Sequence, residues 1–346
     1  MPFYHPLKLI TDLPERKRII DNILALRLEL KKQIPPKTDG QTLLIATWNL
    51  REFSKRTRID EAYYYLAEII GSFDLVALEE VGNDLGSLMR LMYLLGNDWN
   101  YLITDSTEGA QGGGERLAFV FENRKVRFNH IAGEIVLPDD TLVEGKFQFA
   151  RTPFSVAMQA GWFNFMLCSV HIYYGEVRKN TPSRRADEIG AIAKFLHKRA
   201  IKENRNYILI GDFNITAPDD DMMKALKDGG FDVPVALQQF ASGQKRTTFY
   251  DQIAFDFQEK GYKYFSEKDF FNAGAFNFYD VVLKEDDFAT YRKFMDADKI
   301  EGKNDEDLKK YFKTWRTYEM SDHLPLWAEL QIDFSEQYLI KLTTQP

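Results

Sequence analysis

The sequence predicts an α/β sandwich, not a simple parallel doubly wound sheet. Short apolar runs alternate with helical periods from residue 12 to residue 95. From Leu117 to Val170 the chain instead carries strand patterns with no helix between them. Alternation alone gives a parallel sheet covered by helices, whereas consecutive strands add antiparallel pairs. There is no internal repeat and no low-complexity tract.

The elements follow in order. Residues 12–33 carry Ile19, Ile20, Ile23, Leu24, Leu28 and Leu30 among charges of both signs, a helical period. Pro35-Pro36-Lys-Thr-Asp-Gly40 closes it. Residues 1–40 thus read as an N-terminal helical extension packed on the domain or on a partner; the mixed charge argues against a membrane-surface helix. Leu43 to Trp48 is a buried strand. A helix from Thr57 to Ile70, a strand from Phe73 to Leu78 and a helix over 84–95 follow. Leu117–Phe121 and Val126–Leu137 read as strands, and Phe154–Val170 as two strands around Ala160-Gly161. Thr181 as N-cap with Pro182 in the first helical position opens a helix to Ala200. Tyr207 to Gly211 is another buried strand. Residues 255–320 are rich in Phe and Tyr and contain a charged helical piece, Lys284 to Lys313. They read as a long insertion within a catalytic domain of residues 41–335, with their aromatics mostly in the core. Residues 336–346 form a C-terminal tail.

A chain of 346 residues with 45% hydrophobic and 28% charged residues can bury a large core without disulfides. The lone cysteine, Cys168, excludes an internal disulfide and a cysteine-rich zinc site. Its apolar surroundings make it a packing thiol. A net charge of −7 argues against indiscriminate nucleic-acid binding over the whole surface. No apolar stretch approaches the roughly 20 residues that span a bilayer. The N-terminus lacks the charged and apolar regions of a secretion signal. The expected location is therefore cytoplasmic; the oligomeric state is not encoded legibly.

Polar residues follow apolar strands repeatedly: Trp48-Asn49, Leu78-Glu79-Glu80, Val170-His171, Gly211-Asp212-Phe-Asn214, Tyr250-Asp251 and Ser321-Asp322-His323. Strand ends converge on one cleft in such architectures. One Asp after a strand is ordinarily a turn or cap, but this mixture of carboxylate, amide and imidazole exceeds what capping needs. Hydrolysis of a phosphate ester requires charge neutralisation, an aligned water and help for the leaving oxygen. Glu80 and Asp322 are hard ligands suited to Mg²⁺. Asn49 and Asn214 orient groups without adding charge, and His171 and His323 can donate to phosphate or move protons.

The segments Ala46-Thr-Trp-Asn-Leu50, Ala77-Leu-Glu-Glu-Val81, Glu115-Arg-Leu-Ala-Phe-Val-Phe121, Ser169-Val-His171, Gly211-Asp-Phe-Asn214, Tyr250-Asp-Gln-Ile253 and Ser321-Asp-His323 together resemble the endonuclease/exonuclease/phosphatase superfamily, typified by deoxyribonuclease I and the apurinic-site endonucleases. They occur in that family's order across residues 42–331. The resemblance implies a four-layered sandwich, two facing β-sheets flanked by helices, and in-line attack of water with Mg²⁺ or Mn²⁺ and no covalent intermediate. It implies a metal environment of Asn49, Glu80 and Asp322. Asp212 would position or deprotonate the water, and Asn214 would hold a phosphate oxygen. His323 would contact the phosphate, kept cationic by Asp251; His171, partnered by Glu115, would be the second phosphate-facing histidine. Arg151 and Arg116 would meet the substrate. Glu79 is expected to face away from Glu80, because strand side chains alternate.

Departures qualify the substrate. Gly112-Gly-Gly replaces the region where deoxyribonuclease I has a tyrosine, Gly82 stands where it has an arginine, and Phe249-Tyr-Asp251 replaces the Trp-Cys-Asp of the inositol phosphatases. Three basic groups flank the motifs: Arg51, Lys55, Arg56 and Arg58; Arg178, Lys179, Arg184 and Arg185; Lys245 and Arg246. Cations at a helix start oppose its dipole, so they suggest a funnel for an anion. Tyr173 and Tyr174 could stack bases or pack under a loop. A nuclease on DNA or RNA is the first reading. A phosphatase or phosphodiesterase acting on a phospholipid headgroup or small phosphorylated molecule is the second. A non-catalytic binding protein on the same fold is the third, although no metal-binding or water-activating residue is missing.

Overall fold

The computed structural model describes residues 2–108, 112–175, 184–258 and 270–344. The chain opens with helix α1 (Leu13–Gln33), whose N-cap Asp12 accepts from Glu15 N at 3.3 Å. Then come β1 (Thr42–Phe53), α2 (Asp60–Gly71), β2 (Leu75–Val81), α3 (Gly86–Leu95), β3 (Trp99–Ile103), β4 (Arg116–Glu122) and β5 (Val126–Glu134). The middle holds β6 (Phe154–Ala160), β7 (Phe163–His171), α4 (Arg184–Glu203), β8 (Asn206–Asp212), α5 (Asp221–Asp228) and β9 (Asp251–Asp256). The last part holds β10 (Phe270–Ala275), α6 (Phe288–Tyr291), α7 (Ala297–Ile300), α8 (Asp305–Glu319), β11 (Leu326–Gln331) and α9 (Ser335–Thr344).

Two sheets face each other. One has six strands in the order β10-β11-β1-β2-β4-β3, the other five in the order β5-β6-β7-β8-β9. β1 and β2 run parallel, as do β7 and β8, and the remaining pairings among the described residues are antiparallel. Alternation divides β1 cleanly. Leu43 and Ile45 join Leu75, Ala77 and Phe119 in the core between the sheets. Leu44, Ala46 and Trp48 join Val76 and Leu78 in a second core under the helices. Phe119 of one sheet stacks on Phe154 of the other, ring centroids 5.3 Å apart. α2 and α3 cover the first sheet and α4 and α5 the second, giving the four layers.

α1 docks on α2 by burying Ile19, Ile23, Leu26 and Leu30. Arg18 pairs with Glu61 at 2.6 Å, and Asn22 donates to the Tyr65 hydroxyl at 3.0 Å. The β6–β7 hairpin turns at Ala160-Gly161 as predicted, with Gly161 at φ 54. Cys168 is fully buried, which pushes its thiol up.

Some elements escape the sequence pattern. β3 is a half-exposed edge strand and α5 is short; neither carries a long apolar period. The stretch Lys284–Lys313 is broken into α6, α7 and the start of α8, separated at Met295 and Glu301 by extended residues. The segment read as a tail carries α9. Phe276, Phe278, Tyr279, Tyr291, Phe312 and Trp315 are buried, in line with a core role for the aromatics there. Thr181-Pro182, Arg178 and Lys179 lie outside the described residues.

Glu68 on α2 is 6% exposed, and burial pushes its carboxyl up to about 7 from 4.5. An acid so raised binds its proton more tightly folded than unfolded. The folded state is therefore not penalised below the ordinary carboxylate range and loses stability as pH rises towards 7. Glu68→Gln relieves this loss but gives up the ionic contact with Arg27 Nε at 3.6 Å, so thermal denaturation should show a Tm change that is more favourable at about pH 8 than at about pH 4.

Candidate active site

The parallel pairing at the centre of each sheet decides where polar side chains gather. β1 and β2 end at one edge of the first sheet, and β7 and β8 end at the matching edge of the second, with His171 opposite Asp212. Antiparallel neighbours start at that edge: β4 just after Glu115, and β9 at Asp251, in register with Asp212. Residues distant in sequence thus meet at one rim of the sandwich.

Asn49 and Glu80 come from β1 and β2 of the first sheet. Asn49 lies on the inward-facing set of β1 and is 1% exposed. Its Nδ2 donates to Glu80 Oε1 at 3.0 Å and to Asp212 Oδ2, across the sandwich, at 3.1 Å. Glu79 and Glu80 do part, but not by simple alternation. Glu79 takes the inward direction, fully buried, and accepts from Thr47 Oγ1 and Ser169 Oγ at 3.1 Å each. Burial, with Asp251 and Asp212 nearby, raises its carboxyl well above the usual range. Glu80 sits at φ 60, a left-handed conformation uncommon for a side chain with a Cβ. It meets Asn49 on one side and Glu52 N at 2.7 Å on the other.

Two histidine–carboxylate pairs surround Asp212, and each joins the two sheets: His171 and Asp251 belong to the second, whereas Glu115 directly precedes β4 and His323 precedes β11 of the first. His323 Nδ1 lies 2.8 Å from Asp251 Oδ2, and its Nε2 lies 3.8 Å from Asp212 Oδ2. Burial alone would lower the His323 imidazolium, but Asp251, Asp212 and Asp322 more than offset it and hold it well above the usual histidine range. His171 Nε2 approaches Asp212 Oδ2 at 3.5 Å. Its Nδ1 lies 3.0 Å from Glu115 Oε2, off the hydrogen-bond direction. Glu115 also accepts from Arg151 Nε at 2.8 Å; burial opposes ionisation, but His171, Arg151 and Lys55 bring its carboxyl down to about 2. Asn214, at φ 54, donates its backbone N to Asp212 Oδ1 at 2.9 Å and its Nδ2 to Ile172 O at 2.9 Å.

Asn49, Glu80, Glu115, Arg151, His171, Asp212, Asn214, Asp251 and His323 therefore form one connected cluster. Asp322 sits at its edge, its Oδ2 3.2 Å from Arg51 Nη1. Arg116 is turned elsewhere: its Nη1 donates to Thr104 O at 2.7 Å and to Asp105 Oδ1 at 3.1 Å. The basic groups divide. Arg56, Lys245 and Arg246 are exposed, whereas Arg58 and Arg185 are buried, Arg185 bonding Asn214 O at 2.8 Å.

Two structural contributors carry little sequence signal. Ser321 Oγ donates to Asn49 O at 2.5 Å and accepts from His323 N at 2.9 Å. Trp48 Nε1 donates to His323 O at 2.9 Å. Both lie in motif segments, Ser321 two residues before His323 where a hydroxyl can cap a local amide and Trp48 directly before Asn49, but the motifs assign neither side chain this bond.

The donor set suits a hard divalent cation. Among the described residues no cation pairs with Glu80, whose oxygens take only the neutral donors Asn49 Nδ2 and Glu52 N. Ligand atoms of Glu80, Glu115 and His171 lie within 4.8 Å of one another, as do those of Asp212, Asp251 and His323.

The sequence profile of the Endonuclease/Exonuclease/phosphatase family matches residues 46–280. The chain belongs to this family. The matched span stops before Asp322 and His323, so their place beside the family residues comes from the geometry. Among solved structures, an endonuclease/exonuclease/phosphatase family protein from Bacteroides thetaiotaomicron superposes with a TM-score of 0.54 at 17% identity, covering 85% of this chain and 99% of its own. A mannosyl-6-phosphatase from the same organism gives 0.53 at 16% identity, with 83% and 99% covered. The human Nocturnin catalytic domain with bound sulfate gives 0.50 at 14%, with 84% and 95% covered. At these identities the likeness is one of fold, and it is the two-sheet sandwich predicted. No curated protein is a significant sequence match. No helix among the described residues is long and apolar enough to cross a membrane.

Ser321→Ala should strand Asn49 O and His323 N in a buried site. Urea denaturation is expected to show a loss of about 1–3 kcal/mol, the usual consequence of unpaired buried polar groups.

Proposed function

We propose that this chain is a divalent-metal-dependent phosphoesterase whose centre is Asp212. The supporting observation is that one carboxylate oxygen, Asp212 Oδ2, lies within 3.1 to 3.8 Å of Asn49 Nδ2, His171 Nε2 and His323 Nε2. A carboxylate ringed by donors in a buried rim is placed to orient a water and accept its proton. Asp251 keeps His323 protonated, so its Nε2 can donate to a non-bridging phosphate oxygen. His171, with Nδ1 3.0 Å from Glu115 Oε2, turns its Nε2 to the same Asp212 oxygen. The Asn214 amide has one hydrogen committed to Ile172 O, leaving the second for phosphate. Glu80 and Asn49, with Asp322 beside them, would hold Mg²⁺ or Mn²⁺. When bound, the ion would neutralise charge at the phosphoryl group.

A nucleic acid is supported by the exposed cations beside the rim, Arg56, Lys245 and Arg246. A small phosphorylated molecule is supported by the withdrawal of Arg58, Arg116 and Arg185 into structural contacts, which shortens any track for a polyanion. Release of nitrophenol from a diester and from a monoester, each with Mg²⁺ and with chelator, decides between them: diester cleavage with nicking of plasmid DNA supports the nuclease, and monoester cleavage alone the phosphatase. No release from either would leave only a binding role.

Asp212→Asn and His323→Ala should each lower kcat by about 100-fold or more while leaving the circular-dichroism spectrum unchanged. Glu80→Gln should weaken Mn²⁺ binding, read by titration calorimetry, by about tenfold or more, the scale on which even outer partners of a metal act. Asp251→Asn removes the anion that raises His323. The imidazolium should then be lost at lower pH, and the alkaline limb of the kcat/KM profile should move down in pH.

A further inference from the structure

Arg58 stands out among the basic residues because it is 2% exposed and lies immediately before α2. A cation there opposes the helix dipole, and burial of its charge is costly. Burial lowers its guanidinium to about 10, so it stays protonated at neutral pH. Two unfavourable terms at one position call for a strong local compensation.

That compensation is a set of backbone carbonyls. Arg58 Nε donates to Glu319 O at 3.1 Å, and the two hydrogens of Nη2 are shared among Leu50 O, Arg51 O at 2.9 Å and Met320 O at 3.4 Å, while Nη1 has no hydrogen-bond partner among the described residues. The guanidinium lies over the Phe53 ring, 5.0 Å from its centroid. The Glu319 carboxylate accepts from Ile59 N at 2.7 Å, binding the same junction from the other side. The carbonyls belong to two segments far apart in sequence. Leu50 and Arg51 directly follow Asn49, and Glu319 and Met320 directly precede Ser321-Asp322-His323.

Neither segment is fixed by its sheet. The β1–β2 register shifts between Asn49 and Phe53, where Arg51 and Glu52 take φ 36 and 49. β11 does not begin until Leu326. A planar guanidinium with donors in a rigid fork can hold several carbonyls in one plane, which a lysine ammonium cannot reproduce. We propose that Arg58 is a positioning residue, a clamp that sets the separation between the Asn49–Glu80 side of the site and the His323–Asp251 side. This rests on the phosphoesterase reading, because it is across a phosphate that the two sides would have to act together.

The test uses the full chain and Arg58→Lys, with Arg58→Met as a second variant. Amide hydrogen exchange is measured by mass spectrometry, and kcat and KM are measured on the nitrophenyl ester that the unmodified protein cleaves. Arg58→Lys should exchange faster in segments 49–53 and 319–324 and not across the sheet cores. Its kcat should fall by about 10- to 100-fold, as expected of a small misplacement at a reacting centre, with KM changed by less than about threefold. Arg58→Met should show the same exchange pattern and a larger fall. Unchanged exchange in those segments, faster exchange with kcat intact, or a lysine variant that fails to fold would overturn the clamp; the last would assign Arg58 a global structural role. If the unmodified protein cleaves no phosphoester with Mg²⁺ or Mn²⁺, the phosphoesterase reading fails. The exchange pattern then still decides the clamp by itself: confined acceleration supports it and its absence overturns it.

Discussion

The Asn49 side chain joins the two halves of this protein. Its amide donates to a carboxylate of its own sheet and to one of the facing sheet, so the sheets' separation at the rim is set by hydrogen bonds and not by apolar packing alone. Deeper in, contacts such as Phe119 on Phe154 hold the sheets together through shape. At the rim the same spacing must suit polar groups, and polar groups buried there need every partner they have. Thr47, Ser169, Ser321 and Trp48 each supply one of those partners.

This explains the crowding of carboxylates. Glu79, Glu80, Asp212 and Asp251 approach one another although like charges repel, and each is accommodated differently. Glu79 is raised towards its neutral form, Asp251 has an imidazolium, Asp212 has three polar neighbours, and Glu80 has only neutral donors. The differences follow from which strand end each residue occupies, hence from the parallel pairs β1–β2 and β7–β8.

The strand ends and most of the cluster were legible in the sequence, because apolar runs ending in Asn, Glu, His or Asp state both the strand and its polar tip. The family resemblance supplied the order and the expected roles. What the pattern could not convey was local backbone geometry. Alternation predicts that Glu79 and Glu80 part, but it is the left-handed backbone at position 80 that turns the Glu80 carboxylate to Asn49. Charge alone could not distinguish Arg58, sunk among carbonyls, from Arg56 nearby at the surface. Nor could it show that Arg116, next to Glu115, turns towards Thr104. Edge strand β3 and the broken helices after β10 were illegible for another reason: their burial depends on neighbours supplied by distant parts of the chain.

Cys168, alone of its kind and sealed inside the sandwich, has a practical consequence. In the folded protein its sulfur is shielded from maleimides and other alkylating reagents. A cysteine engineered onto an exposed position would therefore be modified selectively, and a fluorophore or spin label could be attached at one chosen point without first replacing the native thiol.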